Sequence, residues 1–280
     1  MAIIKTRTHK DYQRKITSTL FSEATISGVS GPSLQALAPG ISFHFEPRLG
    51  GYVLDGSNNP TSVTELAYGV SASSFSSTYK LSIPTAADSE TQTKYLKTSG
   101  ISGGLDLSYM LFPDNARLRA NGANGFTVIQ VVKSVSTTTN AGTLGKWSSD
   151  ISWNILNNAA SSTITPSFTI ANTSSTVFAI TSAIDATDSN IHSIIGRVNP
   201  STVKIELSVD GTDSTPVSYT GTVKPGSDPL SIGSTYGAGG GRDPGSSVYF
   251  VAIWDRRLTD AEVLAVRTNY LQRVFNKTTL

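Results

Sequence analysis

Along most of this chain apolar and polar residues alternate, and turn residues separate the alternating runs. Ile41-Ser42-Phe43-His44-Phe45 opens the series, and Phe126-Thr127-Val128-Ile129-Gln130-Val131-Val132-Lys133 is its most apolar member. Tyr95-Leu96-Lys97, Leu105-Asp106-Leu107-Ser108-Tyr109-Met110, Trp153-Asn154-Ile155-Leu156 and Phe168-Thr169-Ile170 are shorter runs. His192-Ser193-Ile194-Ile195-Gly196-Arg197-Val198 leads into Asn199-Pro200, and Val203-Lys204-Ile205-Glu206-Leu207-Ser208-Val209 stops at Asp210-Gly211. A period of two bounded by turn residues predicts half-buried strands, here an antiparallel pair. Leu230-Ser231-Ile232-Gly233 and Val248-Tyr249-Phe250-Val251-Ala252-Ile253-Trp254 predict two more strands. The chain is therefore expected to be all-β and antiparallel.

Only the last segment changes period. Thr259-Asp260-Ala261-Glu262 is a capping box, in which the threonine hydroxyl accepts from the third helical amide and the glutamate reaches back to the cap. Asp260 adds negative charge at the helix N-terminus. Val263, Val266, Tyr270 and Val274 recur at helical spacing, with Leu264, Leu271 and Phe275 alongside. The spacing predicts an amphipathic helix of about four turns that covers an open end of the sandwich or docks on a neighbour.

Composition agrees with this reading. Serine and threonine make up about a quarter of the 280 residues, and only 15% of the chain is charged. A single all-β domain of this length buries roughly 70–75% of its unfolded surface, which is enough without a metal or disulfide. There are no cysteines, which excludes thiol catalysis and a disulfide framework. No run approaches the ~20 apolar residues of a membrane-spanning helix. The first residues are charged and lack a secretory signal's apolar core, so synthesis in a cytoplasm without export is expected. The sequons at Asn172 and Asn276 then carry no sugar.

Basic charge gathers at the front, in Lys5, Arg7, His9, Lys10, Arg14 and Lys15, while the whole chain is only +2. Residues 1–40 read as an irregular arm and 41–280 as the folded domain. A basic arm can bind nucleic acid, but only Tyr12 is interleaved as a stacking aromatic. That pattern favours Lys5, Arg7, Lys10, Arg14 and Lys15 as an anchor on an acidic protein surface.

The order of these features resembles the concanavalin A-like, laminin-G-like jelly-roll family. Its members show a histidine-led strand, a strand ending in Asp-Gly, a short Leu-x-Ile-Gly strand and a closing strand-Asp-Arg-x-Leu-Thr-x-x-Glu. Here these are His192–Val198, Val203–Gly211, Leu230–Gly233 and Val248–Glu262. Gly50-Gly51-Tyr52-Val53-Leu54-Asp55-Gly56-Ser57 resembles the family's opening, without the tryptophan that usually follows; Leu66 or Tyr68 could stand in for it. The resemblance covers about residues 41 to 266. It implies an antiparallel jelly-roll β-sandwich, preceded by the arm and closed by the helix. One such scaffold serves many roles.

Catalytic motifs are sparse. Glucanases of this fold carry Glu-x-Asp-x-x-Glu, with the two working carboxylates about 5–5.5 Å apart for retaining chemistry. No such run exists, and Glu206 is alone on its strand. Gly100-Ile101-Ser102-Gly103-Gly104 matches Gly-x-Ser-x-Gly, but a period-two strand follows in place of the helix a nucleophile elbow requires. Gly142-Thr143-Leu144-Gly145-Lys146 is too short for a phosphate loop. His192 is expected in core packing or a strand-end hydrogen bond. The chain reads as non-enzymatic and without a required cofactor.

Binding chemistry is more open. The family's calcium sites use loop carboxylates, amides and carbonyls. Asp185, Asp188 and Asn190 offer such oxygens, as do Asp55 and Asn58, against the plainer reading of Asx turns. A sugar site needs an exposed aromatic face with polar groups beside it. Trp147 with Asp150, and Tyr236 with Arg242 around a glycine run, meet that requirement, whereas Trp153 and Trp254 lie in strands and belong to the core. The expected role is a bacteriophage virion structural protein: a capsid decoration, head-spike or tail-fibre subunit assembled in the host cytoplasm. It would be anchored to other virion proteins by its arm and display a lectin-like jelly roll, as a homo-oligomer with threefold symmetry. A carbohydrate-binding adhesin directed at surface glycans is the alternative, and a glycan-degrading enzyme a more distant one.

Overall fold

The computed structural model describes residues 31–75, 81–98, 108–120, 123–134, 141–147, 150–159, 164–186, 188–233 and 245–280. Two antiparallel sheets face each other across an apolar core, as the alternating runs require. The first has the order β1 (Ile41–Phe45), β17 (Ser247–Trp254), β7 (Phe126–Lys133), β12 (Ile191–Asn199), β13 (Lys204–Val209), β14 (Thr212–Asp213). Two short strands join it, β5 (Leu96–Lys97) beside β17 and β15 (Val217–Ser218) beside β13. The second runs β11 (Val177–Thr181), β10 (Ile164–Ala171), β9 (Trp153–Ala159), β8 (Ala141–Lys146), β16 (Leu230–Ile232), β6 (Met110–Phe112), β4 (Ser74–Phe75). A separate hairpin pairs β2 (Tyr52–Leu54) with β3 (Pro60–Val63).

The strands expected from alternation are present at their cores, except that the run 105–110 meets β6 only at Met110, with Ser108 and Tyr109 outside any strand and 105–107 outside the described residues. β8 and β11, and the two-residue strands β4, β14 and β15, were not foreseen. The glycines in Gly142-Thr143-Leu144-Gly145-Lys146 hid a strand that pairs with β9 and β16.

One apolar cluster fills the space between the sheets, including Phe43, Phe126, Val128, Trp153, Phe168, Ile194 and Ile253. A second lies on the other face of the first sheet, where Ile129, Val131, Ile195, Phe250 and Trp254 meet a helical layer. That layer is α2 (Asp260–Val266), a π-helical turn (Arg267–Leu271) and α3 (Gln272–Phe275), together with the short α1 (Leu34–Leu37) near the front. The sequence placed this helix at an open end of the sandwich or on a neighbour; it covers a sheet face instead. β7 and β17 are buried on both faces because the layer covers their outer side, which explains their near-continuous apolar runs.

Both halves of the capping box at Thr259 and Glu262 form. Residues 32–40, read from the sequence as part of the arm, pack on this body. Leu34 and Ala38 are buried in the second cluster, and the Trp254 indole N–H donates to the Ala38 carbonyl at 2.9 Å.

Candidate functional site at one end of the sandwich

Trp153 opens β9, and its ring packs against Phe126 with centroids 4.8 Å apart, which closes one end of the core. Its indole N–H donates to the Leu118 carbonyl at 3.2 Å. The loop after β6 is thereby brought against the loop between β8 and β9. Lys146, the last residue of β8, is in register with Trp153 and shares its inward face. The side chain is fully buried, and its ammonium ends on the Asp114 carboxylate. Arg119 Nε donates to the same carboxylate at 3.1 and 3.3 Å. Burial pushes the Asp114 carboxyl up, but the bonds from Arg119 and Lys146 outweigh it and hold it below its ordinary value. Burial pushes the Lys146 ammonium down by more than Asp114 lifts it.

Trp147 follows directly and is half-buried. Asp150, three residues on, ties this loop to the one before β16. Lys224 Nζ lies 2.7 Å from its carboxylate, while the Ser227 N–H and hydroxyl donate to it at 2.6 and 2.9 Å. The Asp150 N–H in turn donates to Asp228 at 3.0 Å. The Lys224 and Ser227 bonds hold the Asp150 carboxyl down at about 2. In the loop after β6, the Arg117 guanidinium lies 3.9 Å over the Tyr68 ring. Three loops are thus cross-linked by ion pairs, and one of them carries the half-buried Trp147. Such a surface can offer a stacking face to an apolar sugar face and fixed charges to hydroxyls, at little ordering cost.

Of the residues proposed for sugar contact, Trp147 and Asp150 meet here, and Asp150 serves first as a loop tie. Tyr236 and Arg242 lie outside the described residues, as do Lys5, Arg7, Lys10, Arg14, Lys15 and Ser102. The Asp185, Asp188 and Asn190 loop sits at the opposite end of the sandwich. There Asp188 Oδ1 accepts from the Asn190 N–H at 2.8 Å and lies 2.8 Å from His192 Nε2, and Asp188 Oδ2 accepts from Asn190 Nδ2 at 2.7 Å. These donors occupy the carboxylate, an arrangement that does not fit a calcium ligand set. Asp55 is an Asx turn, accepting from the Ser57 and Asn59 N–H groups. Among the described residues no group of three or more histidine, aspartate or glutamate side chains could hold a metal. Asn172 of the first sequon is buried and donates to the Thr220 carbonyl at 3.0 Å, so its amide is committed within the fold.

Two further clusters each join a short stretch of chain to a distant residue, Asp210 in one and Tyr270 in the other, and the first provides the strand-end hydrogen bond expected of His192. His192 lies between two carboxylates, 2.6 Å from Asp210 and 2.8 Å from Asp188. Burial would lower its pKa, but bonds to Asp210 and Asp188 raise it. Glu46 is fully buried beneath the helical layer and meets His44 at 3.1 Å, Arg48 at 2.6 Å and the Tyr270 hydroxyl at 2.8 Å. Burial pushes Glu46 up, yet these partners keep it below its ordinary value.

Residues 104–264 match the family model of the concanavalin A-like lectin/glucanases superfamily, in its laminin-G-like branch. The chain belongs to that superfamily. Among curated proteins no sequence matches it. Similar solved structures include the binding domain of Paraclostridial Mosquitocidal Protein 1, with a TM-score of 0.57 and 9% identity over 81% of this chain and 52% of that one. Botulinum neurotoxin type C, whose cell entry depends on interaction with two ganglioside molecules, gives a TM-score of 0.57 at 11% identity over 86% and 53%. The ligand-binding domain of botulinum neurotoxin serotype D, in complex with N-acetylneuraminic acid, gives 0.57 at 9% over 83% and 51%. This chain spans about half the length of each. At such identities the likeness is one of fold, and the lectin-like jelly roll is the common element.

Proposed function

We propose that this chain is a non-enzymatic glycan-binding jelly roll whose sugar contacts centre on Trp147. The observation that carries the reading is a half-buried indole on loops locked by Asp114–Arg119–Lys146 and Asp150–Lys224. The superfamily and the ganglioside- and sialic-acid-binding neighbours support a glycan as the ligand. The missing Glu-x-Asp-x-x-Glu run supports binding without hydrolysis. Glycan-array screening of the full chain and of Trp147→Ala tests the proposal. Binding to a defined set of glycans, lost in the variant with circular dichroism unchanged, is expected. No binding, or binding untouched by the substitution, overturns it.

The setting we propose is a phage virion assembled in the host cytoplasm, with the basic residues of the first fifteen positions anchoring the protein to other virion proteins. Their concentration ahead of a domain of nearly balanced charge supports this. Co-sedimentation with purified particles is the check: deletion of residues 1–31 is expected to abolish it and to leave glycan binding intact.

A further inference from the structure

The seven-stranded sheet ends at β11, which pairs with β10 alone. On the side away from β10, no described residue forms a backbone hydrogen bond with Val177–Thr181. Phe178 and Ile180 turn inward, to Tyr219 and the core respectively. Val177 is 46% exposed, and Ala179 is exposed as well. The stretch 172–184 contains no charged residue and no proline.

The edges of the other sheet are closed in different ways. Along β1, the Glu65 carboxylate accepts from the His44 N–H at 3.4 Å, and the Leu66 N–H donates to the His44 carbonyl at 2.7 Å. β14 is two residues long and carries Asp213. Folded proteins blunt an open edge with lysine, proline, a bulge or a covering loop, because unpaired N–H and C=O groups template another strand. β11 carries no lysine, no proline and no bulge, and β13 and β15 approach it from the facing sheet without pairing with it.

We propose that β11 pairs antiparallel with β11 of a second copy of this chain, joining two seven-stranded sheets across a two-fold axis. A second copy is the occupant favoured by charge. An isologous contact sets each side chain near its own counterpart, and a stretch without charge brings no like charges together there. Val177 and Ala179 would line one face of the joined ladder, about 17 Å long for five residues at the antiparallel rise. So short a ladder buries less than a standard interface of roughly 1,600 Å², so the dimer is weak and reversible. Its symmetry is twofold, unlike the threefold arrangement expected from the sequence.

Light scattering of the full chain over a range of micromolar concentrations tests this, together with Ala179→Lys and Ala179→Glu. The unmodified chain is expected to reach the mass of two copies as concentration rises. Each variant should stay at the mass of one, because like charges then face each other across the ladder, and mixing the two variants should restore the dimer. If Ala179→Lys changes the circular dichroism, Val177→Lys, at the most exposed position of the strand, serves in its place. A single-copy mass for the unmodified chain at high micromolar concentration overturns the proposal. So does a dimer that survives the lysine, or a trimer.

Discussion

An ionised carboxylate accepts hydrogen bonds and cannot donate them. His192 has a carboxylate at each ring nitrogen, so its protonated form can donate from both. Its folded pKa lies above the ordinary value of 6.5. The contribution of this contact is complete below that ordinary value and fades as pH rises through the higher folded value. Denaturant titrations should therefore show stability declining from mildly acidic to mildly alkaline pH, and His192→Gln should flatten the decline. An unchanged slope in the variant would place the effect elsewhere. At the acid side the sign reverses. Asp150 and Glu262, both held at about 2, contribute above the ordinary carboxylate range and lose that contribution as pH falls toward 2. The Asp150 part is small, because its side chain is a third exposed and screened by solvent. The core tryptophans behave differently from Trp147. Trp254→Ala should cost about 3–5 kcal/mol from the cavity it opens, measured by urea unfolding, whereas Trp147→Ala should leave stability nearly unchanged.

How legible each of these residues was depended on the range of its contacts. Trp153 and Trp254 could be read as core because each sits in an alternating run that fixes its face. The tie from Asp150 to Lys224 and Ser227, and the bridge from His192 to Asp210, depend on loops brought together by the sheets, and no local pattern marks them.

Elements were legible where periodicity was strong. β7, β12, β13 and β17 were read nearly to the residue, because two-sided burial or strict alternation wrote them into the sequence. β8 was hidden by Gly142 and Gly145, and the glycine at 145 is needed there: a Cβ would lie 2.5 Å from that of Asn154. The helix was read from its cap and spacing, yet Leu264 proved 52% exposed while Val266, Tyr270, Leu271 and Phe275 are fully buried. Thr259→Ala should cost about 1 kcal/mol, since it leaves a first-turn amide without its acceptor. The front of the chain gives a sharper test. Deleting residues 1–31 should leave the melting temperature nearly unchanged. Deletion through residue 40 also removes buried Leu34 and Ala38 and the acceptor of the Trp254 indole, and should cost about 3 kcal/mol. Equal melting temperatures for the two deletions would show that the docked segment contributes nothing.

At the scale of the whole molecule, the structure has three layers where the sequence suggested two. The seven-stranded sheet, the eight-stranded sheet and the helical layer enclose two apolar clusters, and β7 and β17 contribute to both. Val263, Val266, Tyr270, Leu271, Val274 and Phe275 are all buried in the outer cluster. At about 1.5–3 kcal/mol for each large apolar side chain, their burial is comparable with the whole stability of a domain, about 5–15 kcal/mol. Glu46 adds a second dependence, because the Tyr270 hydroxyl is one of the three groups bonded to its buried carboxylate. A chain ending at residue 259 would uncover Ile129, Val131, Ile195, Phe250 and Trp254 on one sheet face and leave Glu46 short of a donor. That chain should be largely insoluble, and any soluble fraction should bind a hydrophobic dye and melt without a cooperative transition. A soluble truncated chain with a sharp two-state melt would instead mean that the two facing sheets stand alone and that the helical layer is an addition to them.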